Sequence, residues 1–292
     1  MPELPELREL LRRCTFPPSR SPLQCAVSGG ADSLALLVLA TAAECAVTAW
    51  HVDHGLRDGS EAEAEVVRSA ADRFGAAFES RTVPVEPGPN LEARARAARR
   101  SVLPAGAATG HTADDQAETV LLNLLRGSAL DGLAGMRPGQ VHPILGLRRA
   151  ETHKLCANVG LVPVIDPTND DQAHRRNALR HAVIPQLDEL AGRDVSVLIA
   201  RQARLLADDA DFLDELSAGI DPRDAAGLAA APLPLARRAI RMWLRPALSG
   251  RPPSAAAVER VLAVARGEAR AAQVADGVGV ERRQGLLTIS NA

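Results

Sequence analysis

Over its first two thirds the chain alternates short β-type runs with helical patterns, and this alternation limits the available folds more than any other feature. Residues 23–28 (LQCAVS) read as a strand and 32–45 as a helix. Residues 47–53 (VTAWHVD) make a second strand, followed by a helix over 60–74. A third strand is expected at 77–85 with a helix at about 91–103, and a small-residue fourth strand at 105–110 with a strong helix at 112–126. Repeated strand, helix, strand units predict an α/β fold, a parallel doubly wound sheet covered on both faces, with right-handed crossovers. In such sheets ligands lie beyond the carboxyl ends of the strands. That rule directs attention to three polar segments, at 28–33, 53–57 and 110–115.

Beyond Asp166 the pattern changes. DPTND is a turn cluster, 175–190 reads as a helix that contains Pro185 or ends at it, and 194–217 is a long amphipathic helix. Breaks at Pro232, Pro234, Pro252 and Pro253 separate two further helices, and 273–290 looks like short strands around Gly277, Gly279 and Gly285. The expected organisation is a catalytic domain over 1–190 and a smaller, mostly helical accessory domain over 191–292, which suits a chain of 292 residues. Between Pro232 and Arg270 eight arginines face only Glu259 and Glu268. So basic a segment is a candidate footprint for a phosphate backbone, although the net charge of the whole chain is −2.

Several classes are disfavoured. The longest apolar run, 34–43, is far short of the roughly 20 residues that span a bilayer, and the amino-terminal residues lack the apolar core of a secretory signal. No membrane association is expected, and the location is expected to be cytoplasmic. Cys14, Cys25, Cys45 and Cys156 form no CxxC and no paired spacing, so neither a zinc knuckle nor a disulfide framework is signalled.

The chemistry concentrates after the strands. Ser28, Gly29, Gly30, Ala31, Asp32 and Ser33 lie between a strand and a helix. Two glycines permit positive φ and close backbone approach, while helix-start amides and two hydroxyls suit a phosphate group. Asp32 and Ser33 also serve as ordinary helix-start residues. The segment is not a Walker loop, which would need GxxxxGK[ST]. In GHTADDQAET (110–119), Thr112 and Asp115 make a capping pair, and Asp114 and Glu118 share one helical face. Carboxylates there could hold Mg2+ or receive an ammonium group, and the residues alone do not separate the two. His51, Asp53 and His54 have metal-ligand types, but alternation along a strand accounts for their placement equally well.

SGGADS resembles the pyrophosphate loop of the PP-loop ATPases, and HVDHGLR (51–57) with GHTADDQAET resembles the tRNA lysidine synthetases within that class. So do NLEARARAARR (90–100), the GLAGM and HPIL segments, DPTND, and Arg175, Arg176, Asn177 and Arg180 followed by Pro185. The resemblance is close over residues 23–190. The last third resembles the family's first accessory domain only in position, helical character and basicity, and the length is taken as too short for the further domain of larger members.

The resemblance implies that ATP and Mg2+ adenylate C2 of the wobble cytidine of a CAU-anticodon isoleucine tRNA. Free L-lysine then displaces AMP, giving lysidine and changing decoding from AUG to AUA. It further implies that the 28–33 loop holds pyrophosphate, that Asp53, His54 and Arg96 also belong to the nucleotide site, and that Asp32 and Asp115 are metal ligands. Asp32, His111, Asp115 and Glu118 are then catalytic, while Asp114, Glu118, Arg99, Arg175, Arg176, Asn177 and Arg180 bind substrate. Two departures stand out: Arg100 replaces a family tyrosine and His142 a family arginine, whose bidentate fork an imidazole cannot reproduce. A cytidine thiolase of the same class would call for a cysteine pair, and a small-molecule adenylating ligase would not require tRNA. A homodimer is compatible with the sequence, but no motif calls for one.

Overall fold

The computed structural model describes residues 5–53, 60–84, 88, 91–164 and 175–291. Two compact units emerge, Met1–Leu205 and Leu206–Ala292.

In the first unit the order is α1 (Pro5–Arg12), β1 (Pro22–Ala26), α2 (Ala31–Ala42), β2 (Ala46–Asp53), α3 (Ser60–Phe74), β3 (Ala77–Thr82), α4 (Leu91–Val102), β4 (Ala108–Thr109) and α5 (Ala113–Leu125). The short α6 (Leu130–Leu133), α7 (Arg149–Asn158), α8 (Arg175–Ala178) and α9 (Ile184–Ala191) follow, and α10 (Val195–Ala218) runs across the division between the units. The strands form a sheet in the order β3-β2-β1-β4, with every pairing parallel. Helix α2 is hydrophobic nearly all round and lies in the centre of the core: Leu34, Leu36, Leu37 and Leu39 are fully buried.

Strand order locates the site. From β1 the chain steps to β2 and then β3 on one side, whereas β4 pairs on the other, at Cys25↔Ala108 and Ala26↔Thr109. The succession therefore reverses at β1, and the crevice outside the carboxyl ends of β1 and β4 is the topological switch point where open α/β sheets bind ligands. The segments beginning at Ser28 and Gly110 leave β1 and β4 side by side.

Three features differ from the sequence expectation. Strand β4 is only Ala108–Thr109, because its flanks Ala105, Gly106 and Ala107 form a turn rather than pairing with β1. Helix α7, which no periodicity signalled, is present with Thr152, Leu155 and Cys156 as its buried residues. The helix at 175–191 widens into a π turn over Leu179–Val183, where the Ile184 N–H bonds back to the Leu179 carbonyl. Pro185 has no N–H to give, and the wider turn absorbs that loss without ending the helix.

In the second unit, α11 (Ala225–Ala230), α12 (Leu233–Leu244) and α13 (Ala255–Arg266) pack with an antiparallel meander of β5 (Ala271–Ala275), β6 (Val278–Arg283) and β7 (Leu286–Asn291). Its core includes Leu228, Ile240, Leu244, Val261, Leu262, Val280 and Leu287. Asp224 and Ser254 cap α11 and α13 through the amides of Ala226 and Ala257, each at 3.1 Å. The basic stretch is offset within this unit: residues 206–292 carry eleven arginines and eleven carboxylates, Arg238 is buried against Asp214, and Arg237 pairs with Glu259 at 2.6 Å.

Candidate active site

The loop after β1 is shaped by two different glycines. Gly29 has φ +85° and sits under Val164, whose Cγ2 would lie 3.2 Å from an added Cβ, so the position needs glycine on conformational grounds alone. Gly30 has an ordinary φ of −71° and an added Cβ would meet only the Ser28 Oγ, at 3.7 Å. Ser33 locks the loop: its hydroxyl donates to the Gly30 carbonyl at 2.9 Å and accepts from the Ser28 N–H at 3.1 Å. Gly110 closes the other side. A Cβ there would fall 2.7 Å from the carbonyl carbon and oxygen of Asp32, so the two strand-end segments touch backbone to backbone.

Helix α5 begins in this crevice. The Asp115 carboxylate accepts from the Thr112 N–H at 2.8 Å and from its hydroxyl at 3.0 Å, so the capping pair forms. Gln116 and Gly135 hold the GLAGM segment: the Gln116 amide donates to the Met136 carbonyl and accepts from the Met136 N–H, at 2.9 and 2.8 Å, and any Cβ on Gly135 would strike that side chain.

Four carboxylates meet four arginines around the crevice. Asp114 takes a bidentate pair from Arg148 at 2.8 and 3.0 Å and a third bond from the Arg149 N–H at 2.8 Å. Glu118 is fully buried, and Arg149, Arg176 and Arg180 all donate to it, at 3.3, 2.7 and 2.8 Å for the shortest contact of each. The π turn lies between α8, which carries Arg176, and α9, and itself carries Arg180, so both reach the same carboxylate. Arg149 has its Nε 3.5 Å from Asp32 and one terminal nitrogen 3.0 Å from Asp115. Asp32 also accepts from the Thr152 hydroxyl.

These contacts set the carboxylates apart electrostatically. Burial outweighs its partners at Asp32 and raises its pKa. For Asp114, burial is overcome by the Arg148 hydrogen bonds and the Arg149 amide, and for Asp115 by the Arg149 charge and the Thr112 amide, so both are held below the ordinary range.

Carboxylates from α2 and α5 thus converge on one cation, the Arg149 guanidinium. Two hard oxygen donors from opposite walls of a phosphate-type crevice are a donor set that fits Mg2+. His51 is not directed there: it is buried, with Nδ1 3.1 Å from the Val27 carbonyl. Among the described residues no group of three or more His, Cys, Asp or Glu side chains forms a metal site.

Of the residues singled out from sequence, the structure brings together Ser28, Gly29, Gly30, Ala31, Asp32, Ser33, Asp114, Asp115, Glu118, Arg176 and Arg180. His111 stands beside them at the start of the same segment, with Nδ1 2.7 Å from the Thr109 hydroxyl. Asn177 is buried in α8, Arg175 is exposed, Asp53 ends β2 and Arg99 lies in α4. The expectations for His54, for the Arg96 side chain and for residues 166–170 fall outside the described residues. Sequence reading missed Arg148, Arg149 and Thr152. The one local signal for them is Arg148 followed by Glu151, whose carboxylate accepts from the Arg148 N–H at 2.8 Å to open α7.

A parallel sheet with this loop at its switch point defines a PP-loop protein, and residues 5–187 match the PP-loop domain family. Residues 224–288 match the TilS substrate binding domain. Among solved structures, the U34-tRNA thiolase NcsA from Methanococcus maripaludis is similar in fold, with a TM-score of 0.55 at 18% identity over 69% of this chain and 80% of that one. The tRNA(Ile)-lysidine synthase of Nocardia farcinica is 43% identical over 236 residues, 75% of this chain and 74% of that protein. That of Synechococcus sp. is 40% identical over 282 residues, 87% of this chain and 86% of that protein. The chain belongs to the tRNA(Ile)-lysidine synthase family.

Proposed function

We propose that this chain is an ATP-dependent ligase that joins the ε-amine of L-lysine to C2 of the wobble cytidine in an isoleucine tRNA with a CAU anticodon. The cytidine O2 attacks the α-phosphorus of ATP and pyrophosphate leaves; the amine then attacks C2 and AMP leaves. The observation that carries this reading is the meeting of the 28–33 loop and the start of α5 at the β1–β4 switch point, in a chain of this family.

In this reading Ser28, Gly29, Gly30, Ala31, Asp32 and Ser33 hold the leaving pyrophosphate, with Asp53, His54 and Arg96 toward the nucleoside. Asp32 and Asp115 would hold Mg2+, which neutralises phosphate charge when bound. Arg149 contacts both carboxylates. The Glu118 carboxylate would receive a lysine ammonium group in exchange for Arg149, while Arg176 and Arg180 remain on it. Asp114, tied by three donors, orients Arg148 and the start of α7. Arg175, Arg176, Asn177, Arg180 and Arg99 supply donors for substrate carboxylate and tRNA phosphate.

The sulfur chemistry of a thiolase finds no support in the cysteines. Cys14, Cys25 and Cys156 have thiols that burial pushes up to about 12, and all four cysteines are free.

The test is pyrophosphate release from ATP with Mg2+, with and without the CAU tRNA and lysine. Release that requires the tRNA and is lost in Asp32→Asn supports the reading. Release that is indifferent to tRNA, with a small acceptor adenylated in its place, overturns it.

A further inference from the structure

A proton count beside the crevice assigns a role to a residue outside every motif. Thr109, the last residue of β4, has its Oγ1 2.7 Å from His111 Nδ1, 2.9 Å from His142 Nδ1 and 3.0 Å from the Val141 carbonyl oxygen. The same carbonyl accepts the Thr109 N–H at 2.8 Å. The two imidazoles meet edge to face, with centroids 5.0 Å apart and planes at 80°.

A hydroxyl has one proton and two lone pairs, and a carbonyl can only accept. If the hydroxyl proton went to either imidazole, two acceptor oxygens would face one another at 3.0 Å with no proton between them. With the proton on the Val141 side all three contacts are satisfied, and both Nδ1 atoms must then be the donors. We infer that Thr109 is a positioning residue that holds His111 and His142 as Nδ1–H tautomers, so that a neutral His111 carries its basic lone pair on Nε2.

The consequence for the reaction rests on the proposed function. Lysine must lose a proton from its ε-ammonium before it attacks C2, and an imidazole is a suitable acceptor at neutral pH. The proton moves from the ε-ammonium to Nε2 of His111. The resulting imidazolium keeps its Nδ1–H on the Thr109 oxygen, so charging the ring leaves that bond in place. His142 fills the hydroxyl's second lone pair. At this position, where the family resemblance has a permanently charged arginine, the chain presents a second imidazole to the same oxygen.

The experiment is long-range 1H–15N correlation of the imidazoles in the full-length protein, with peaks assigned by their disappearance in His111→Gln and His142→Gln. The expected result is Nδ1–H, with unprotonated Nε2, for both rings above their titration. Free imidazole side chains prefer the opposite tautomer, so an Nε2–H signal for His111 overturns the inference.

Thr109→Val keeps the shape and removes the acceptor. It should return His111 to Nε2–H and lower kcat for lysine transfer by about 100-fold, the scale of a lost general base, with KM for ATP unchanged. Thr109→Ser should restore both readouts, which a purely structural role does not predict. Should Thr109→Val fail to fold, the wild-type and Thr109→Ser tautomers still decide the matter. An Nδ1–H tautomer in a protein that transfers no lysine sustains the role of Thr109 and refutes the proposed reaction instead.

Discussion

Substituting Gly110 by alanine tests whether the two strand-end segments are held in contact for catalysis. Gly110 meets Asp32 backbone to backbone, and the new methyl would start 2.7 Å from its carbonyl carbon and oxygen and 2.9 Å from the Ser33 nitrogen, where ordinary contact begins at 3.4 Å. The obstructing atoms are backbone in the first turn of a helix buried along most of its length, so they cannot swing aside as a side chain would. Relief requires a shift of about half an ångström or more, and overpacking of this kind costs about 1–3 kcal/mol. For a unit of this size each kcal/mol lowers Tm by about 2–4 °C, which gives a fall of about 2–12 °C. Asp32 moves with the backbone. Misplacement approaching 1 Å at a reacting centre costs about 100-fold, so pyrophosphate release should fall by about 10- to 100-fold. Differential scanning calorimetry and a coupled pyrophosphate assay on the same preparation read both effects. A variant with wild-type Tm and wild-type release would refute the close approach and the reasoning built on it.

Gly30→Ala should behave in the opposite way: with φ −71° and no close neighbour, stability should change by less than about 1 kcal/mol, while ATP affinity falls because the methyl projects where phosphate approaches the backbone; denaturant titration and isothermal calorimetry separate the two. Glu118→Gln should cost about 3 kcal/mol or more in urea unfolding, because it leaves Arg176 and Arg180 without their buried counter-charge. The pH dependence of stability carries two signs. Asp114 sits below its ordinary 3.8, so its pairing stabilises the fold above that pH and is lost as pH falls through the lower folded value. Asp32 sits above 3.8, so ionising it at higher pH weakens the fold. Asp114→Asn should therefore flatten the acid limb of the stability profile, and Asp32→Asn should be at least as stable as wild type at neutral pH although inactive.

The sheet was legible because its punctuation is chemical. Gly and Ser after β1, Asp53 at the end of β2, and Gly, His and Thr after β4 mark strand ends that the period-2 runs alone leave loose. The switch point followed from element order only once β4 was seen on the far side of β1. Strand β4 shrank to two residues because AGAA offers neither bulk nor branched side chains to hold a longer ladder. Helix α7 went unread because LRRAETHKLC lacks an apolar stripe; its inward face includes a threonine and a cysteine.

The larger gap was in the site. Arg149 meets Asp115 and Glu118 across 34 and 31 positions, and Arg180 meets Glu118 across 62. Local spacing shows which carboxylates share a helical face but not which arginine reaches them from another helix. The basic run from Pro232 to Arg270 shows the same limit of local reading. It is real in the sequence, yet Arg237 and Arg238 are already paired and the acidic half of α10 balances the unit. Thr109 was invisible for a third reason: nothing in a strand residue reveals that its hydroxyl is shared by two imidazoles.

The most direct test of the central claim is transfer of radiolabelled lysine to a CAU-anticodon isoleucine tRNA transcript with ATP and Mg2+. The label should be located by mass spectrometry of the digested tRNA, and wild type compared with Asp32→Asn. The account predicts one lysine on the wobble cytidine, dependent on ATP and absent from the variant. A folded wild-type protein that cleaves ATP to AMP and pyrophosphate yet leaves that cytidine unmodified would contradict it.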